Sequence, residues 1–571
     1  MMSFKVDNIE LLRRFVGKKG MIVATKGYHQ VKDGGQNVFY WDEDYKGDDN
    51  QGTVIKGLEW KSGAWIAVQN KKINVRQFGA KGNGRDNDGV ILRHMFSVLK
   101  SEDEVEFSDG IYMVDAADIL NVCLFIDKSI VLFSKKKSVI KCVSSGARSV
   151  VRLGAAVILE NIIVDCDFKA NHAVECVKGA SGSIIKGCIA KNASQYFNRN
   201  LSAALFVVVS EVNIKFTKCI ADLAIGYVNG IRGDVIGTAR GFLFYGKSVF
   251  SGENVIDSCI VDNIVNDRGV LGYYEDEDGV VSQLDNSYLK LTNNIIKNCM
   301  KRGVKVQNPC LIKNNLIITS RKNESRDKRM YSAISIYSDN VIVEGNKIYN
   351  FNPLSLDEYS LGDYFYGIEV GVKGRSYNDI YVYDNDFIIN GASNVIYLKA
   401  VYICGVINGF FCERNKFELK YNNKLNETYG IYADLDVCDI SSLVVSDNVF
   451  TYLSSAIKLI GPWSGEVVNN SLVSIMGSLG GIIVDGYMDG LSSSRLTFSN
   501  NKMILSGDNI ICINTNKVGD MLFFGNTSDV ADMKTIKFSF FCPCIDAELL
   551  PKSDDDALFC YCFFGNGKTY R

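Results

Sequence analysis

From about residue 160 the chain keeps returning to one short pattern, an apolar alternating stretch that stops on Asn or Cys and resumes on an apolar residue. It reads IIVDCDF, IIKGCIA, IKFTKCIAD, VIDSCIVDN, LTNNII, IKNNLII, VEGNKIY, VYDNDF, CERNKF, VSDNVF, VVNNSL, FSNNKM and FFGNTS. The anchoring residues are Cys166, Cys188, Cys219, Cys259, Asn294, Asn315, Asn346, Asn385, Asn415, Asn448, Asn470, Asn501 and Asn526. Neighbouring anchors lie between 21 residues (Asn294 to Asn315) and 40 residues (Cys219 to Cys259) apart. Such a step is one coil of a solenoid, with insertions on some coils. Asn side chains stacked from coil to coil can bond one another and the turn backbone, and a buried thiol fits the same narrow slot. The expectation is an Asn/Cys ladder inside an all-β, parallel β-helix.

Composition agrees with many short strands joined by tight turns: 5 Pro against 51 Gly, with abundant Val, Ile, Tyr, Phe and Asn. A chain of 571 residues exceeds the ~100 to 200 usual for one domain, and repetition accounts for the length. Net charge is −2 with both signs interspersed, which removes the basic footprint of a nucleic-acid binder and suits a neutral or acidic glycan. The N-terminus, MMSFKVDNIELLRRFVGKKG, has no continuous apolar core of a signal peptide, and no later apolar run approaches the ~18 residues that span a bilayer. No membrane insertion and no secretory signal are therefore expected. The odd count of 17 Cys argues for reduced thiols rather than a disulfide framework.

A second strand recurs between the anchors: AVECV, ALFVV, GFLFY, GVLGY, GVKVQ, AISIY, GIEVG, VIYLK, GIYAD, AIKLI, GIIVD and IICIN. Its order is small, apolar, variable, apolar, variable. Period-two alternation turns the apolar members inward and sets the variable ones in two columns on an outer face. The first column runs through Glu175, Phe206, Lys305, Ser335, Glu369, Tyr397, Tyr432 and Cys512. Flat rings stack on pyranose faces and polar groups meet hydroxyls, so Tyr245, Tyr273, Lys305, Gln307, Tyr337, Tyr397, Lys399 and Tyr432 are candidate substrate-binding residues. Outward Tyr is also simply a good strand former, and that reading stands beside the functional one.

Residues Ile73 to Phe96, INVRQFGAKGNGRDNDGVILRHMF, closely resemble the opening of the pectate-lyase-like β-helix of many phage tailspikes: a strand, an FGAKGDG-type loop and a short capping helix. Met21 to Ile55 resembles the small domain that precedes it there, and DGIYMV at Asp109 to Val114 resembles the first coil. The resemblance implies a right-handed single-stranded β-helix with a small N-terminal β domain at 1–72, the β-helix at 73–535 and a short closing segment at 536–571. It further implies a homotrimer in the virion tail, made in the bacterial host cytoplasm and joined to a phage tail or baseplate protein. The substrate implied is a bacterial surface polysaccharide, capsule or O-antigen. The same opening precedes hydrolases, lyases and esterases, so it does not select the reaction. GAKGNG lacks the Lys-Ser/Thr ending of a phosphate loop, and its glycines suit a turn into a cap helix within Asp86 to Lys100. Arg85-Asp86-Asn87-Asp88 departs from the family's usual run of Asp and Thr, but Asp86 or Asp88 can still act as N-cap.

Chemistry narrows by absence. Of three histidines, His29 and His94 precede the coils, and His172 sits just before AVECV, where a satisfied loop residue is the simpler reading. A Ser-His-Asp esterase is therefore disfavoured. Glycoside hydrolysis needs two carboxyl groups facing one bond. Glu369 and Asp434 face the groove two coils apart, about 12 Å between backbones from ideal strand spacing. Insertions offer other partners: Asp363, with Asp357 and Glu358, in SLDEYSLGDYFYG, and Glu275 and Asp278, with Asp276 and Glu277, in YYEDEDG. Four adjacent acids repel and can raise one pKa, although a solvated acidic turn is the commoner meaning of such a run. A polysaccharide lyase, drawing on Lys305, Lys399, Tyr337 and Tyr397, is the main enzymatic alternative to an endo-glycosidase, and a non-cleaving receptor-binding spike is the third reading. No cofactor is called for. The C-terminal pairs Cys542/Cys544 and Cys560/Cys562 are read as thiols in closing strands, since structural zinc more often spaces its ligands by two or more residues.

Overall fold

The computed structural model describes residues 3–57, 62–68, 72–117, 119–227, 238–267, 276–318, 330–349, 364–390, 397–420, 427–434, 441–475, 481–485, 495–505, 513–516, 520–524 and 527–528. The chain divides into two compact units, Met1–Asp267 with Leu284–Asn286, and Arg268–Gln283 with Ser287–Arg571. Both carry coils of a right-handed parallel β-helix. Among the described residues, no helix is long and apolar enough to cross a membrane.

The first unit opens with a five-stranded sheet, β1 (Ser3–Val6), β2 (Ile22–Thr25), β3 (Asn37–Asp42), β4 (Val54–Ile55) and β5 (Ala64–Ala67), in the order β1-β2-β3-β5-β4. Helix α1 (Ile9–Arg13) starts at Asn8, whose side chain accepts from the Leu11 amide at 2.9 Å. Leu12, Val23, Phe39, Ile55 and Trp65 are buried between helix and sheet. Trp65 also donates its indole N–H to the Phe15 carbonyl at 2.8 Å, so its polar edge is satisfied within the core.

Lys72–Asn74 then pairs in parallel with Glu104–Glu106 and leads into the coils. Helix α2 (Gly89–Val98) covers the entrance with Leu92, Met95 and Phe96. Neither expected aspartate caps it through its side chain. Asp88 stands at the N-cap position but turns back, accepting from the Lys81 and Gly82 amides at 2.7 and 2.9 Å, while Asp86 binds Lys81 and Asn83. Loop donors compete for these carboxylates and win; Asn87 instead accepts from the Gly89 amide at 2.9 Å. Gly82 holds φ +56°, and a Cβ there would lie 2.7 Å from the Tyr112 ring.

Each coil has three short strands. In the first unit Ala170–Cys176, Ile184–Lys186 and Ile189–Ser194 make one turn, and each pairs in parallel with its counterpart on the next coil. In the second unit Arg302–Val306, Cys310–Lys313 and Leu316–Ile318 do the same. Phe387, Phe417 and Phe450 stack inside at 4.8 Å spacings.

The ladder lies where the second strand turns into the third. From Asn294 through Asn315, Asn346, Asn385, Asn415, Asn448 and Asn470 to Asn501, the Nδ2 and backbone N–H of each residue both donate to the Oδ1 of the next. Cysteine fills the slot in the first unit. The Cys219 thiol donates to the Ile185 carbonyl at 3.2 Å, and the Cys259 sulfur accepts from the Cys219 amide at 3.3 Å. Burial pushes the Cys188 thiol up to about 12, so it stays protonated. Cys166 is a correction: the residue preceding Ile163, whose partner is Ile189, is Ile162, so Ile162 shares the slot of Cys188 and Cys166 lies beyond it. Asn526 lies outside the described residues.

The second repeat holds one rule that strict alternation misses. A Cβ on Gly303 would meet Ile317, one on Gly367 would meet Phe387, and one on Gly430 would meet Phe450, all interior side chains. The small residue therefore points inward, as does the apolar residue after it. Two consecutive inward positions bend the strand, and the residue before the small one turns back to the outer face. At Gly430 an added Cβ would lie 2.5 Å from the Phe450 ring and 2.6 Å from the Ala456 carbonyl oxygen. Gly430→Val is expected to lower stability by about 1 to 3 kcal/mol through overpacking, read as a fall in the denaturation midpoint.

Candidate functional site

Strand pairing in the second unit sets three columns on the side of the strands away from the interior. One, buried throughout, runs Asp278, Arg302, Ser332, Tyr366, Lys399, Tyr429, Ser455. The next runs Lys305, Ser335, Glu369, Tyr402, Tyr432, Lys458, Ile483, Asn514. Two residues further along the strands stand Cys404, Asp434, Ile460, Asp485 and Asn516, with Gln307 and Tyr337 at the same offset on earlier coils.

Three expected register positions are corrected. Tyr402, not Tyr397, faces Glu369 and Tyr432; Tyr397 pairs with Tyr364 and Glu427, and its side chain lies outside the described residues. Asn514, not Cys512, pairs with Ile483, and its side chain lies outside the described residues. In the first unit Val207, not Phe206, faces Glu175, and Phe206 is an interior ring stacked on Phe242 at 4.9 Å. In each case an apolar run offered two overlapping fits, and pairing with the neighbouring coil selects the other one. Lys399 belongs to the column of Tyr366.

Glu369 is partly exposed, and its Oε2 accepts from Ser335 Oγ and Tyr337 OH, both at 2.7 Å. Two donors on one oxygen fix the orientation of the carboxyl. Burial, then the neighbouring Glu369 charge, push the Tyr337 phenol well above its ordinary range. Asp434 stands two coils on and two residues further along, with Tyr402 and Tyr432 in the intervening and shared coils.

Aromatic rings surround Lys399. Tyr366 and Tyr402 stack at 4.5 Å, Tyr402 meets Tyr432 at 6.0 Å, and Tyr429 meets Tyr432 edge-on at 5.0 Å. The Lys399 ammonium lies 3.5, 4.2 and 5.6 Å from the centroids of Tyr432, Tyr402 and Tyr366, and Lys458 lies 5.2 Å from that of Tyr432. With Lys399 only 8% exposed, its charge rests on ring faces. Lys399→Met is expected to cost about 2 kcal/mol of stability, seen as a lowered unfolding midpoint.

Asp278 does not lie in a solvated acidic turn. Asp276, Glu277 and Asp278 open the strand Asp276–Thr292; Asp278 is fully buried and accepts from Arg302 Nε at 3.0 Å. Asp276 binds Arg302, Lys301 at 3.0 Å and Lys305 at 3.2 Å. These acids neutralise a cationic cluster. Lys305 is thereby held by Asp276, and Gln307 is exposed. Tyr273, Glu275 and Asp363, with Asp357 and Glu358, lie outside the described residues, as do both Cys-x-Cys pairs.

Tyr245 belongs to the first unit, beside Arg148 and Glu175. His172 is a buried strand residue rather than a loop residue. The ring cluster of Tyr366, Tyr402 and Tyr429, and Arg302, went unread in the sequence. The signal was there, since AVYIC before Gly405 fits the small-apolar rule better than VIYLK. Among the described residues, no group of three or more His, Cys, Asp or Glu is arranged to hold a metal ion, and the cysteines are free thiols.

Residues 5–70, which span most of the N-terminal five-stranded sheet, match the family described as the phage tail protein small four-stranded β-sheet domain. A comparison with curated proteins finds no match. Among solved structures, the chain is similar to the tailspike protein gp49 of Acinetobacter baumannii bacteriophage Fri1, a capsular polysaccharide depolymerase, with 11% identity and a TM-score of 0.41 over 92% of this chain and 75% of that one. It is similar to the gp42 tailspike of Acinetobacter phage vb_AbaP_AS12, with 12% identity and a TM-score of 0.36 over 76% of this chain and 75% of that one. Full-length tailspike protein 2 from Escherichia coli O157:H7 bacteriophage CAB120 gives 14% identity and a TM-score of 0.36 over 87% of this chain and 51% of that one, so the chain spans about half of its length.

Proposed function

We propose that the chain is a phage tailspike whose β-helix binds and depolymerises a bacterial surface polysaccharide, capsule or O-antigen, as an endo-glycosidase. The observation that carries the reading is the oriented Glu369 carboxylate on an outward face shared with the partly exposed Tyr402, Tyr432 and Asp434. Tyrosine edges and faces suit pyranose rings. Glu369 is the general base that activates water, its carboxylate oriented by two hydroxyl hydrogen bonds, and Asp434 is the acid that protonates the leaving oxygen. Side chains reaching toward each other across a backbone gap of about 12 Å bring the carboxyls toward the spacing of an inverting pair, about 6.5 to 9.5 Å.

A lyase would need a base beside a uronic acid, and Tyr337 is poorly suited, because its raised phenol pKa keeps it protonated. The match at residues 5–70 supports an N-terminal domain of 1–72 that joins the virion tail. The β-helix at 73–535, a closing segment at 536–571 and assembly as a homotrimer complete the proposal. The test is incubation of the purified protein with capsule or O-antigen of its host. New reducing ends without ultraviolet absorbance of an unsaturated uronic acid support hydrolysis. That absorbance selects a lyase, and binding to cells without released oligosaccharide selects an adhesin.

A further inference from the structure

The first unit carries a separate charged cluster on its own outward face. Glu175 is fully buried, and Arg148 grips its Oε1 from Nη2 at 2.7 Å and Nε at 3.1 Å while Ser149 Oγ donates to Oε2 at 2.8 Å. Two more groups converge on that carboxylate without hydrogen-bonding it: Arg152 Nε at 3.4 Å and His172 Nδ1 at 3.8 Å. Both nitrogens are buried and lack a hydrogen-bond partner, and the His172 side chain is only 2% exposed. The Arg152 side chain is 16% exposed, and its Nε has no hydrogen-bond partner among the described residues. One carboxylate therefore faces two permanent guanidinium charges, and its own oxygens are occupied by Arg148 and Ser149.

A purely structural ion pair needs one cation for one anion. The surplus cation is Arg152, whose planar fork stands in a partly exposed site next to Arg148, with Tyr245 beside Arg148 and Glu175. We infer that Arg152, backed by Arg148, His172 and Glu175, forms an anion subsite that takes the carboxylate of an acidic sugar. A guanidinium fork matches a planar carboxylate through two parallel N–H donors, and the buried Glu175 holds the neighbouring arginine in place. The inference rests on the reading of the chain as a polysaccharide-binding spike, and it adds that the bound glycan contains a uronic acid. It places this subsite on other residues than the cleavage site around Glu369.

The test uses the full chain titrated with sodium glucuronate, glucose and inorganic phosphate, followed by calorimetry and by a crystal soaked with glucuronate. Glucuronate is expected to bind and glucose not to, with Arg152→Gln weakening glucuronate binding by about tenfold and Arg152→Lys by less. Glu369→Gln is expected to leave glucuronate binding unchanged, so failure of the cleavage reading and failure of the subsite are distinguishable. Equal binding by wild type and Arg152→Gln overturns the inference, as does no glucuronate binding, or phosphate binding as well as glucuronate. Should Arg152→Gln not fold, the soaked wild-type crystal decides: a carboxylate against the Arg152 fork supports the subsite, and one elsewhere overturns it.

Discussion

Exchange of Glu369 for glutamine is expected to slow polysaccharide cleavage by about 10²- to 10⁴-fold, the usual contribution of a positioned acid or base. Glutamine keeps the volume and can still accept from Ser335 and Tyr337 through its carbonyl oxygen, so the surrounding geometry survives while proton transfer is lost. The fall should lie in kcat, with KM little altered, because the ring faces of Tyr402 and Tyr432 are untouched. Asp434→Asn should cause a loss of the same order. The combined variant should lose little more than either alone, since the two carboxyls act as one unit. Release of reducing ends, measured with the melting profile, is the readout. Undiminished cleavage by a folded Glu369→Gln protein removes Glu369 from the mechanism.

The largest stability effect is expected from Asn385→Ala, about 3 to 5 kcal/mol. Asn385 Nδ2 donates to the Val343 carbonyl and to Asn415 Oδ1, both at 2.9 Å, and its own Oδ1 accepts the Asn346 amide at 2.9 Å and the Asn346 side chain at 3.0 Å. Alanine leaves the Asn346 amide and the Val343 carbonyl short of partners in a fully buried slot, where each orphan costs about 1 to 3 kcal/mol. Asn385→Cys should be milder. The chain already places Cys188, Cys219 and Cys259 in that slot, and a thiol there both donates to a carbonyl and accepts an amide. Denaturant midpoints of the two variants and the wild type give the comparison. Equal stability of Asn385→Ala and wild type would remove the ladder as a source of stability.

The fold was legible because its signals are local and repeated. Period-two alternation and the recurring Asn need only a few residues each, and every coil states them again. Cys166 misled because IIVDCDF resembles its neighbours, whereas pairing with the next coil puts Ile162 in the slot. The site was less legible, because it is built from residues about thirty apart and depends on register. A one-residue error reverses the face of every side chain, which is how Phe206 came to be read as outward. Tyr402 was missed through a longer slip, caused by a second apolar run five residues upstream. The acidic run at Asp276 to Asp278 was ambiguous for another reason. Its neutralising partners, Lys301, Arg302 and Lys305, come one coil later, and no local pattern announces them.

Every rung between Asn294 and Asn501 hands its hydrogen bond in one direction, from a lower-numbered residue to a higher one. The side-chain amides thus form a head-to-tail file of aligned dipoles, each polarising the next. A file of this kind is indifferent to how many members it has but intolerant of a member turned around. Whole coils can be gained or lost along it with every remaining amide still satisfied, and with them whole rows of the outer face. A chain of this kind can therefore change the length and make-up of its outer face by adding or removing one coil, while the interior that holds it up stays in phase.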